Sequence, residues 1–82
     1  MYHIYAIYNS KAGKLYIGQT EDLKERLRLH NEKIFKVYTS RFNGEWIIIY
    51  TEEHPDRKIT LARERQLKSY RGREFVKKHI PG

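Results

Sequence analysis

The side chains able to do chemistry begin with phenols: four of the chain's seven tyrosines, Tyr2, Tyr5, Tyr8 and Tyr16, fall before residue 17. A phenol donates and accepts hydrogen bonds, and becomes a base only where its surroundings take its pKa below about 10. Further on, Arg26 and His30 stand four residues apart, and Glu64 lies three residues from both Leu61 and Leu67. Four residues is one helical turn, so a guanidinium and an imidazole share a face there. Hydrolysis of a phosphodiester needs a proton acceptor, a cation where charge builds on the non-bridging oxygens, and help for the departing oxyanion. Arg26 carries a planar, permanently charged fork suited to phosphate oxygens. Glu64 is a single carboxylate, enough for a hard cation such as Mg²⁺ that keeps most of its waters. Each residue also has an ordinary reading: Arg26 as a solvated cation, Glu64 as an i,i+4 partner of Lys68, His30 closing an apolar stripe, and the tyrosines as core residues with satisfied hydroxyls.

Positioning these groups requires a hairpin and at least two helices. Residues 2 to 8 and 14 to 19, rich in Tyr and Ile and separated by the turn-type cluster Asn-Ser-Lys-Ala-Gly, predict two antiparallel strands. Ile4 and Ala6 share one face of the first while Tyr5 and Ile7 share the other, which predicts a central strand covered on both sides. In the second strand Lys14, Tyr16 and Gly18 project one way and Leu15 and Ile17 the other. A register that sets Tyr8 opposite Gly13 also sets Tyr5 opposite Tyr16. Gly18, on the same face, leaves room for a backbone or phosphate to approach.

Thr20 is the expected cap of a helix with Glu21 and Asp22 in its first turn, running to His30 or Asn31. Leu23, Leu27 and His30 form its stripe, with Arg26 at the edge. Residues 32 to 44 read as an irregular loop. Residues 45 to 51 read as a third strand, buried on both faces by its unbroken apolar run. Asp56 caps a second helix over 57 to 70, and Gly72 and Pro81 bracket a short basic third. The expected fold is α+β: one domain over residues 1–82, with a small three-stranded antiparallel sheet flanked by helices in the order β-β-α-β-α-α.

Seventeen Lys and Arg against ten Asp and Glu give a net charge of +7 and an isoelectric point near 9.8, a field that attracts polyanions. Basic residues interleave with aromatics, as over Lys33 to Phe42, where Lys36 and Arg41 are candidates for phosphate contact. The absence of cysteine excludes a disulfide framework and a Cys-ligated zinc site. No apolar run reaches the roughly 18 residues of a membrane span, and the N-terminus lacks a secretory pattern, so a cytoplasmic domain without a membrane partner is expected.

The ordered set His3-Ile4-Tyr5, Tyr16-Ile17-Gly18, Arg26, His30 and Glu64 resembles the GIY-YIG nuclease superfamily over nearly the whole chain. It is most similar to small standalone bacterial members related to the nuclease domain of the excision-repair C subunit, whose later helix carries the pattern seen here as Arg63-Glu64-Arg65-Gln66-Leu67-Lys68. The resemblance implies a divalent-metal-dependent endonuclease, with Mg²⁺ or Mn²⁺, that hydrolyses DNA. It implies that Tyr5 and Tyr16 are the motif tyrosines, Arg26 the catalytic arginine, His30 the helix histidine, Glu64 the metal ligand and Gly18 the motif glycine. Tyr16 is then the candidate general base. The chain departs from the pattern at His3, where the motif has Gly, and at Gln19, where the repair branch often has Lys. Lys14 or Lys24 would supply the missing cation. Low sequence specificity is expected, with structure-selective cutting in repair or recombination. The alternative is a nucleic-acid-binding module of the same fold, non-catalytic or active only with a protein partner.

Overall fold

The structure, a computed structural model, describes residues 1–32 and 38–81. Strands β1 (Tyr2–Asn9), β2 (Lys14–Thr20) and β3 (Ile47–His54) form one antiparallel sheet in the order β2-β1-β3. Helices α1 (Leu23–Asn31), α2 (Arg57–Leu67) and α3 (Tyr70–Lys77) complete the expected α+β order, with a short 3-10 helix, Tyr38–Arg41, between α1 and β3.

Both faces of β1 are covered, as its alternation predicts. Ile4 and Ala6 pack with Ile17, Leu67 and Val76, the side taken by α2 and α3. Tyr5 and Ile7 pack with Trp46 and, around them, Tyr16, Leu23 and Leu27, the side taken by α1. Ile4, Ile7 and Trp46 have no exposed surface. Burying each apolar side chain contributes about 1.5–3 kcal/mol before conformational entropy is subtracted.

The hairpin register differs from the expected one by two residues. Tyr5 lies opposite Gly18, Ile7 opposite Tyr16 and Asn9 opposite Lys14. Asn9 sets a turn of the expected length one residue further along the chain: its carbonyl accepts from Gly13 N–H at 2.7 Å, its side-chain oxygen accepts from Ala12 N–H at 3.1 Å, and Gly13 takes the positive φ, 66°, that closes it.

Helix α1 is capped by Asp22, whose carboxylate accepts from Glu25 N–H at 3.1 Å, and not by Thr20. The Thr20 hydroxyl instead accepts from Asp22 N–H at 3.1 Å, too early in the chain to be the cap. Strand β3 begins later and ends later than expected, and it is not buried on both faces. It is an edge strand with Ile47 exposed, its ladder interrupted between Ala6 and Ile7. Asn31 joins the end of α1 to the entry of β3, accepting from Trp46 N–H at 2.7 Å and donating to Trp46 O at 3.1 Å.

Asp56 caps α2 as expected, but that helix ends at Leu67 and Gly72 lies within α3 rather than before it. A Cβ at Gly72 would fall 2.5 Å from Leu67 Cα, so glycine there lets α3 start hard against the end of α2. Ser69 caps α3, its hydroxyl accepting from Gly72 N–H at 3.2 Å.

Candidate active site

The site is built around Tyr5, on the central strand and 2 % exposed. Its hydroxyl is hydrogen-bonded to His30 Nε2 at 2.8 Å. The other ring nitrogen, Nδ1, is hydrogen-bonded to Thr39 Oγ1 at 2.7 Å. His30 and Thr39 are both buried, so a continuous polar chain of phenol, imidazole and hydroxyl runs from the sheet, through α1, to the 3-10 helix. Buried polar groups demand such partners, and each here has one.

Tyr16 joins the group diagonally across the ladder. Its ring centroid lies 6.2 Å from that of Tyr5 and 5.1 Å from that of His30. Gly18 makes this arrangement possible, since a Cβ there would come 2.8 Å from the Tyr5 hydroxyl oxygen and 3.0 Å from Tyr16 Cε1. The glycine therefore makes room for the two phenols themselves.

Burial pushes the Tyr5 phenol well above its ordinary pKa. The neighbouring Tyr16 and the Glu64 carboxylate push it in the same direction, while the Arg26 guanidinium pulls against them. Tyr5 therefore keeps its proton at any physiological pH. Tyr16, Arg26 and Glu64 thus all act electrostatically on the buried phenol. Arg26 comes from α1 on one face of the sheet and Glu64 from α2 on the other.

Glu64 is largely shielded, its side chain 15 % exposed, and it is bound by Lys68 Nζ at 2.9 Å, the ordinary i,i+4 partner. It lines a cleft of about 240 Å³ with Leu61, Arg65 and Lys68. As a hard anionic oxygen donor opening on a cleft, it suits Mg²⁺ or Mn²⁺ with water and phosphate completing the shell. No group of three or more His, Asp or Glu that could hold a metal occurs among the described residues.

The remaining sequence candidates are more dispersed. The Lys14 ammonium lies 5.6 Å from the centroid of the Phe42 ring. Lys24, on α1, and Arg41, at the end of the 3-10 helix, are exposed. Lys36 lies outside the described residues. Two residues that sequence reasoning missed belong to the site region. Thr39 sits in a stretch without periodicity and carried no signal. Arg57 shares a cleft with Arg26, a meeting of two helices 31 residues apart that no local pattern announces.

No helix is long and apolar enough to cross a membrane. No curated protein and no solved structure matches the chain closely enough to supply a relative or a fold neighbour. A family model does match: that of the GIY-YIG catalytic domain, over residues 1–78. With that match spread over hairpin, α1, β3 and α2, the chain belongs to the GIY-YIG family of nucleases.

Proposed function

We propose that the protein is a divalent-metal-dependent endonuclease that hydrolyses DNA phosphodiester bonds with little sequence preference. The observation that carries this reading is the buried Tyr5–His30–Thr39 chain beneath Tyr16, with Arg26 and Glu64 in electrostatic reach of the same phenol.

The two tyrosines take different parts. Tyr5 is held protonated and fully enclosed, so it orients His30 and stays out of proton transfer. Tyr16 is only half-buried, and as the more accessible phenol it is the group that, once ionised to phenolate, takes the proton from an attacking water. Arg26 neutralises charge on the non-bridging oxygens, held on a helix whose Leu23 and Leu27 are rooted in the core. Glu64 would hold the divalent ion, whose contribution when bound is to polarise a phosphoryl oxygen. His30, fixed at both ring nitrogens, sets the position of Tyr5 and closes the floor of the site.

The arginines offer phosphate contacts rather than base readout, so the shape of the DNA decides where it is cut. Branched, nicked or damaged DNA, met in repair or recombination, fits that behaviour. A second reading, a nucleic-acid-binding module without catalysis, is favoured by one observation: the Glu64 carboxylate already has Lys68 as its partner.

Incubation with supercoiled plasmid and Mg²⁺ or Mn²⁺ separates the two. Nicking that is lost with a chelator, and lost in Arg26→Ala and Glu64→Ala while the far-UV spectrum is kept, is the expected result. Binding without nicking by the wild type would leave the second reading.

A further inference from the structure

Clefts open along the β2 edge on both sides of Glu64. At one end, a cleft of about 300 Å³ is lined by Arg26 from α1 and Arg57 from α2, with Gln19, Thr20 and Glu21 from the end of β2 and just beyond it. At the other, a cleft of about 320 Å³ is lined by Tyr16 together with Lys68 and Arg73. The Glu64 cleft lies along the same helix and shares Lys68 with the second. Arg57, Leu61, Glu64, Arg65 and Lys68 follow helical spacing, so one stripe of α2 faces this seam. From Arg57 to Lys68 that stripe is about 16 Å long at 1.5 Å per residue. A nucleic-acid strand rising about 3.4 Å per nucleotide passes roughly five nucleotides over that distance.

Lys68, in the seam, is paired with Glu64 at 2.9 Å, whereas the seam's Arg57, Arg65 and Arg73, like Arg41 and Arg71 elsewhere, differ from the two arginines held by carboxylates among the described residues. Arg28 is held between Glu25 and Glu32 at 2.5 and 2.6 Å, and Arg63 is held by Glu52 at 2.8 Å. Among the described residues, Arg57, Arg65 and Arg73 have no carboxylate partner within ion-pair distance. Glu21 is the acidic residue of the first cleft, which it lines together with two arginines.

We propose that the seam between α2 and β2 is the track of the nucleic-acid strand. Arg57 is a second phosphate-holding guanidinium opposite Arg26, and Lys68 with Arg73 takes the phosphates beyond Tyr16. The inference rests on the nuclease reading for the identity of the polyanion. Arg57 and Arg73 would position the strand on either side of the reacting phosphate without touching the reacting atoms.

The test is fluorescence anisotropy with a labelled 20-mer, single-stranded and duplex, in chelator, from about 50 to 300 mM salt. Each phosphate that the protein ceases to neutralise takes about one from the slope of log K against log salt. Arg57→Gln is expected to weaken binding several-fold and lower the slope by about one, and Arg73→Gln to do the same. Glu21→Gln is expected to tighten binding. Arg28→Gln removes the same net charge from a residue already committed to two glutamates, and should leave the slope unchanged. Equal losses of affinity in the Arg57 and Arg28 variants would mean that net charge alone governs binding, and would overturn the track. So would absence of binding by the wild type, or a Glu21→Gln variant that binds no better. Because binding is read without metal, a wild type that binds along this seam yet never nicks plasmid would defeat the nuclease reading and leave the track intact.

Discussion

Tyr5 and Gly18 face each other directly across the β1–β2 ladder, and a Cβ at position 18 would lie 2.8 Å from the Tyr5 hydroxyl oxygen. The pairing explains how a bulky phenol is enclosed on a central strand while its hydroxyl still reaches His30.

Gly18→Ala should therefore act on the site through Tyr5. The added methyl collides with the end of a ring that is buried and cannot swing clear, so a cost of about 1–3 kcal/mol is expected. Urea unfolding should read this loss, and nicking activity should fall further than the loss of folded protein accounts for.

Removing the Tyr5 hydroxyl leaves the Nε2 of a buried imidazole without a partner. Tyr5→Phe should cost about 1–3 kcal/mol of stability. Combining it with Thr39→Val should give a non-additive result, because both act on the same ring; a coupling of about 0.5 kcal/mol or more in a double-mutant cycle is expected. Strict additivity would mean that the phenol–imidazole–hydroxyl chain does not behave as a unit.

Glu52 governs the acid limb of stability. Burial pushes its carboxyl up, but hydrogen bonds from Arg63, Tyr50 and His54 and the charge of Arg63 outweigh this and hold it at about 2, down from 4.5. Above about pH 4.5 the carboxylate is ionised in both folded and unfolded chains and its contribution is complete. As pH falls from there toward 2, the unfolded chain takes up the proton first and the contribution is lost. It is on the order of 2 kcal/mol. Urea midpoints measured from pH 7 to 2.5 should fall less steeply in Glu52→Gln than in the wild type, from a lower starting point.

Lys68 competes for the carboxylate proposed to hold the metal. Its ammonium lies 2.9 Å from Glu64, and a divalent ion must share or displace it. Lys68→Gln should raise Mn²⁺ affinity several-fold, read by the loss of the free-ion EPR signal, while weakening DNA binding measured in chelator. Unchanged Mn²⁺ affinity would show that the ion pair is no obstacle to metal at Glu64.

Much of the architecture follows from local pattern, because burial repeats with the period of each element. Alternation in β1 placed Ile4 and Ala6 against one helix layer and Tyr5 and Ile7 against the other. Helical spacing put Arg26 and His30 on one turn, and Asp56 marked the start of α2. Pattern could not choose the hairpin register, since a slip of two residues leaves every side chain on its original face. Turn chemistry decided it, with Asn9 and Gly13 closing the loop one residue further along the chain and moving Tyr5 from Tyr16 to Gly18. Local propensity also misplaced the start of α3, because what Gly72 answers is contact with Leu67. The sequence by itself determined the elements, their buried faces and a net positive charge. Only tertiary structure put Thr39 under His30, let Glu64 act on Tyr5 from the other helix layer and brought Arg57 to Arg26 at the β2 edge. Those contacts join residues far apart in the chain, and the packing of two helix layers on one narrow sheet creates them.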